Sequence, residues 1–101
     1  MTDVSLQIAR AASEAALATE GVYSMGSGRF VEAATYEGGE KVTGVVVKPD
    51  ELEIHIVARY PLPKPIPEIS KNIMERVALH AGDRKTLVVV DDLEVGADEN
   101  L

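Results

Sequence analysis

From Val42 to Val95 the chain runs through two valine-rich segments, a proline-studded crossing, one amphipathic stretch and a last apolar run. The tightest constraint lies in its middle. Leu52, Ile54, Ile56, Ala58 and Tyr60 alternate with Glu53, His55, Val57 and Arg59. A period of two with one polar face predicts an antiparallel strand, buried on one side and solvated on the other. After it, Pro61, Pro63, Pro65 and Pro67 stand at every second residue. That spacing never forms the PxxP pattern read by proline-binding grooves. It predicts a stiff extended crossing, with Pro67 suited to a first helical turn.

The next helix is expected over residues 67–81, where Ile66, Ile69, Ile73, Val77 and Ala81 recur at helical spacing with Met74 beside them, and Gly82 ends it. Residues 86–95 read as a final strand, with Leu87, Val88, Val89 and Val90 expected to be buried on both faces. Strand, helix and strand in this order imply a crossover connection.

Upstream, residues 2–20 read as a helix, with Thr2 or Asp3 as its cap and Gly21 at its end. Val4, Ile8, Ala11, Ala15 and Ala18 fall on one arc, expected to face the core. Leu6 and Leu17 lie on the other side near Arg10 and Ser13, which marks Leu6, Arg10 and Leu17 as a candidate contact surface. Val22 to Met25 form a short segment, and Gly26-Ser27-Gly28 a loop. The loop lacks the spacing and the following helix of a phosphate cradle. Residues 30–36 are expected as a strand, Gly38-Gly39 as a hairpin turn, residues 41–48 as the next strand, and Lys48-Pro49-Asp50-Glu51 as a second turn.

With 101 residues there is room for one domain with a real core. One Phe, three Tyr and no Trp leave that core to Val, Ile, Leu and Ala. The absence of cysteine removes disulfides, thiolate metal sites and cysteine nucleophiles. The net charge is −7, with seven acids and four bases in residues 1–50 and ten and six in residues 51–101. Ten scattered bases offer no cluster to replace counterions on phosphates, so nucleic acid is not an expected partner. The same charge opposes direct adsorption to anionic lipid, and no apolar run reaches the roughly 18 residues of a spanning helix. The N-terminus shows no basic patch followed by an apolar run. The expected location is the cytoplasm.

Few residues invite chemistry. Glu53 and His55 share a strand face but lack a third ligand nearby in sequence. His80 sits near a helix C-terminus, where positive charge is favoured. Asp91, Asp92 and Glu94 match no calcium loop, and a regular strand would point Asp91 and Asp92 to opposite faces. Charges at a strand end that discourage edge pairing are the simpler expectation for them, and as the exposed edge of the last strand Asp91 and Asp92 join Leu6, Arg10 and Leu17 as candidate contact residues. No serine sits in a nucleophile elbow. The sequence therefore predicts neither catalytic residues nor a cofactor, a metal or a small-molecule substrate.

Several short stretches together resemble the bacterial alkaline shock protein twenty-three / general stress protein family, in the short form typical of actinobacteria. They are Ala15-Ala16, Glu20-Gly21-Val22, Ala34-Thr35-Tyr36, residues 42–47, residues 53–57, Pro67-Glu68-Ile69 and residues 88–93. The chain departs from the pattern at Pro61-Leu62-Pro63-Lys64, where a glycine is usual, and near Met74, where longer members carry glutamine. The resemblance implies a non-enzymatic protein of the cell-envelope stress response that self-associates and reaches the cytoplasmic membrane through a small anchored partner. The expected fold is α+β in the order α-β-β-β-α-β, about four strands in a mixed or antiparallel sheet with two helices on one face. The domain is expected over residues 1–95, with an acidic, frayed tail at 96–101. A KH-like nucleic-acid module is the alternative of similar layout, but the chain has no GxxG loop between helices and no basic rim. A third reading is an enzyme or metal protein centred on Glu53, His55, Asp91 and Asp92.

Overall fold

The computed structural model describes residues 4–95. The expected cap at Thr2 or Asp3 and the tail at 96–101 lie outside the described residues. Helix α1 (Val4–Leu17) is followed by strands β1 (Val22–Met25), β2 (Ala34–Glu37), β3 (Glu40–Thr43), β4 (Val45–Val47) and β5 (Glu51–Tyr60), then helix α2 (Ile66–Ala81) and strand β6 (Lys85–Val95). The fold is α+β with a mixed four-stranded sheet and a separate two-stranded hairpin of β2 and β3.

β5 is the spine of the sheet. β6 runs parallel to it along its whole length, from Glu51 opposite Lys85 to Tyr60 opposite Val95. On its other edge β4 and β1 succeed one another, both antiparallel, with Val45 opposite Ile54 and Val22 opposite Ala58. The alternation in β5 holds as expected up to Ala58. Leu52, Ile54, Ile56 and Ala58 are fully buried under both helices, in one core with Ala9, Ala12 and Ala16 of α1 and Ile69, Ile73 and Val77 of α2. Tyr60, beyond that core, is exposed.

Two expected strands have different bounds. The segment expected at residues 30–36 is strand only from Ala34, and Phe30 and Val31 stand in a loop. The strand expected at 41–48 breaks into β3 and β4 at Gly44, whose φ is +90°. A Cβ there would lie 2.8 Å from Cβ of Met25, so only glycine lets the chain turn from the hairpin into the main sheet at this point. Val22 to Met25, a short segment of unassigned type in the sequence, is strand β1.

The buried face of α1 also differs from expectation. Leu6, Ala9, Ala12 and Ala16 are buried, whereas Val4 and Ala18 are exposed. Both arcs of this helix are mostly alanine, so periodicity separates them poorly. The decision falls to a long-range neighbour. Arg10, one turn after Leu6 on the same side, pairs with Glu40 of the β2–β3 hairpin, so the hairpin covers the flank that the sequence leaves open. Leu6 is 2% exposed and belongs to the interior, not to a contact surface.

α2 begins one residue earlier than expected, with Ile66 and Pro67 in its first turn, and ends at Gly82. Leu87 to Val90 are not buried on both faces: β6 is an edge strand, Leu87 is exposed, and Val88 to Val90 are only partly covered.

Candidate functional site

The sheet face away from the helices carries the main concentration of polar chemistry among the described residues. His55 sits at its centre, its side chain only 12% exposed. Nε2 lies 2.8 Å from Oε1 of Glu53 on the same strand, and Nδ1 lies 3.0 Å from Oδ1 of Asp91 on β6. Asp91 is more deeply set, with its side chain 7% exposed. Its Oδ2 accepts the N–H of Gly28 at 2.8 Å. Oε2 of Glu53 accepts from Nζ of Lys48 at 3.1 Å, and the carbonyl of His55 accepts the N–H of Gly26 at 2.8 Å. The cluster thus ties together β5, β6 and the loop after β1.

An ionised carboxylate can only accept hydrogen bonds. An imidazole flanked by two of them satisfies both only with a proton on each ring nitrogen. Burial of the ring opposes that charge, but the hydrogen bonds to Glu53 and Asp91 outweigh it and raise the pKa of His55 above its ordinary value. The bond to His55, against the opposing effect of burial and with the help of Lys48, holds the carboxyl of Glu53 below the usual range. His55 in this state has no free lone pair to act as a base. The arrangement is an ionic clamp.

A break in register lies just beyond the clamp. Ile56 lies opposite Val90, but Val57 lies opposite Asp92, so β6 carries an extra residue at this point. The bulge defeats the expectation of opposite faces. Asp92 takes the position facing Val57 on the helix-free side, where Asp91 already meets His55, and both line a cavity of about 360 Å3 with Met25, Gly26, Ser27, Gly28 and Arg29. Asp91 is therefore not an edge charge that blocks pairing. Asp92 is exposed and accepts the N–H of Leu93 at 2.8 Å.

The loop glycines have their explanation here. A Cβ on Gly26 would fall 2.3 Å from Oδ2 of Asp91, so a larger residue would push the carboxylate off the imidazole. Beyond Gly28 the loop runs along the sheet, with the N–H of Ala33 bonded to the carbonyl of Ser27 at 2.8 Å. It presents Phe30, 96% exposed, and Val31, 81% exposed. Between this loop and the sheet lies a cleft of about 560 Å3, with Ala33, Val46 and Val89 on its walls, the clamp at its floor, and Arg29 and Lys48 among its lining cations. Glu32, also on this cleft, is tied to Tyr36 and to Lys41, the latter at 2.9 Å. Arg29 forms no ion pair among the described residues.

Of the expected contact residues, only Leu17, 48% exposed, and Asp92 stand at the surface without a long-range partner. Leu6 is interior, Arg10 is engaged with Glu40, and Asp91 belongs to the clamp. Glu53, His55 and Asp91 do come together, as the third sequence reading required. Their mutual bonds use up the groups a metal would need, and among the described residues no set of three or more acidic or histidine side chains is arranged to hold one. The residues that sequence reasoning missed are Gly26, Arg29, Phe30 and Val31. One signal could have found them: Phe30-Val31-Glu32 does not alternate cleanly into Ala34-Thr35-Tyr36.

No family model, curated protein or solved structure matches the chain. No helix among the described residues is long and apolar enough to cross a membrane.

Proposed function

We propose that this chain is a non-enzymatic protein-interaction module of the cell-envelope stress response, self-associating and brought to the cytoplasmic membrane by a partner protein. The resemblance noted in the sequence supports the biological setting. The observation that carries the biochemical reading is the cleft itself. Phe30 and Val31 stand almost wholly in solvent above an apolar-walled groove, while the nearest candidate reaction centre is occupied by its own hydrogen bonds. Exposed large apolar groups beside a groove mark contact surfaces.

The occupant that fits is a partner segment carrying one apolar anchor and a neighbouring carboxylate. The anchor lies between Val46 and Val89, and the carboxylate meets Arg29, a cation without an ion pair among the described residues. Titration of the isotope-labelled chain with short peptides tests this. Peptides joining an aromatic or leucine anchor to an aspartate should shift the resonances of Arg29, Ala33, Val46 and Val89 saturably. The same peptides with lysine in place of aspartate should bind more weakly, and Arg29→Glu should reverse the order. Equal response to both peptides, or no saturable shift at the cleft, would overturn the reading.

A further inference from the structure

Among the described residues β6 has a hydrogen-bonding partner on one side only. β5 pairs with it along its length, and no strand among the described residues lies on its outer edge. The strand is 11 residues long, and such a row of unpaired N–H and C=O groups is a template for another strand. The ladder has a natural end: the bulge at Asp91 bends the strand, and Asp92 already takes the N–H of Leu93. The open edge is therefore Lys85 to Val90.

We propose that this edge pairs with the same edge of a second copy, antiparallel about a two-fold axis through Val88, joining the two sheets into one. This pairing rests on the self-association in the functional reading and gives it a location.

Register and charge select this occupant. Two copies related by an axis perpendicular to the sheet keep their helices on the same side, so residues facing each other must belong to the same face. Pairing centred on Val88 meets that condition. Val88 meets Val88, Thr86 meets Val90, and Leu87 meets Val89 on the helix-free side. Lys85 of each copy then arrives opposite Asp91 and beside the exposed Asp92 of the other. Lys85 forms no ion pair among the described residues of its own chain. The two-fold axis makes the charge match occur twice, at the two ends of the new ladder. A cation at one end of a strand and an acid at the other suit antiparallel self-pairing and penalise the parallel arrangement.

The neighbouring helix is shaped for the same approach. Asn72, Glu75 and Arg76 of α2 line a cleft with Thr19 and Glu20 at the end of α1. At 100° per residue, Ser70, Met74 and Ala78 therefore lie on the opposite flank, the one above the open edge of β6. Ser70 is half-buried, and Met74 and Ala78 are exposed. With strands spaced about 4.8 Å apart, edge pairing brings the two copies of α2 to roughly 10 Å, a helix-packing distance. Small residues on either side of a methionine permit that contact.

Sedimentation of the full chain, alone and in mixtures, tests the proposal. The wild-type chain should dimerise. Lys85→Glu sets two acids against each other at each end of the ladder, and Asp92→Lys sets two lysines together. Each variant alone should raise the dimer Kd about tenfold. Mixed one to one, the two variants restore both ion pairs in a heterodimer, which should form with an affinity near that of the wild type. Thermal melts that match the wild type show that each variant is folded. A dimer indifferent to both substitutions, or variants that remain monomeric on mixing, would overturn edge pairing while leaving self-association standing. A wild-type chain that stays monomeric would overturn both. Phe30→Ser should leave the dimer intact, since Phe30 lies on the loop after β1 and not on the paired edge.

Discussion

The two faces of β5 are built from the same ten residues in alternation, yet they hold the molecule together by different physics. The face under the helices is apolar and closed, with Leu52, Ile54, Ile56 and Ala58 fully buried against α1 and α2. The other face is only half covered, and its cohesion comes from one imidazole held between two carboxylates and a loop bonded to one of them. Hydrophobic burial is non-directional and scales with area, so the first face tolerates small displacements. The second depends on protonation and on distances of about hydrogen-bond length, so it responds to pH and to a single methyl group.

The contrast breaks most simply on the core side. Ile54→Ala removes a wholly buried side chain at the centre of the sheet and should cost about 2–5 kcal/mol in chemical denaturation. A loss under about 1 kcal/mol would mean that the helix-covered face is not the principal source of stability.

A smaller effect is expected from Gly26→Ala, which places a methyl where Oδ2 of Asp91 lies. Either the loop lifts away or the carboxylate leaves His55, at a cost of about 1–3 kcal/mol. The distinguishing readout is the His55 titration followed by NMR, because loss of Asp91 should bring its pKa back toward the ordinary value of 6.5. An unchanged titration would show that the clamp does not need the loop.

The smallest effect is the response to pH. The folded pKa of His55 is raised, so the clamp's contribution from this group is fully present below the unfolded value near 6.5 and is lost as pH rises through the higher folded value. Glu53 is depressed, so its contribution is present above its unfolded value near 4.5 and is lost as pH falls through the lower folded value. Between those two limits both contributions are in place. The melting temperature should therefore be higher near about pH 5.5 than near about pH 8.5, and His55→Gln should flatten the alkaline part of that dependence. A profile that keeps its alkaline slope in the variant would assign the slope to another group.

Much of the closed face was legible in advance. The alternation through β5, the spacing of Ile69, Ile73 and Val77, and the punctuation by Pro67 near the helix start and Gly82 at its end are local signals, because they arise from the periods of strand and helix and from the backbone limits of proline and glycine. The open face was not. His55 and Asp91 are 36 positions apart and meet only because β6 returns parallel to β5 in a register that sets Val89 beside His55. A regular strand would have turned Asp92 to the other face, as the sequence suggested, and the bulge keeps it beside Asp91. Leu6 departs from its expected place for a related reason, since two alanine-rich arcs leave a helix free to choose its inner side and a hairpin 30 residues away pairs with the flank that Leu6 shares with Arg10.

What the sequence determined alone was the list of parts: a half-buried strand, two helices, a turn at Gly38-Gly39, no cysteine chemistry and an acidic surface. These are set by periodicity and composition, which act over a few residues at a time. Tertiary structure alone decided which carboxylates meet His55, why Gly26 must lack a side chain, where Phe30 and Val31 are displayed, and which edge of the sheet stays open. Each of these depends on contacts between segments far apart in the chain, and their register is settled only when the whole sheet forms.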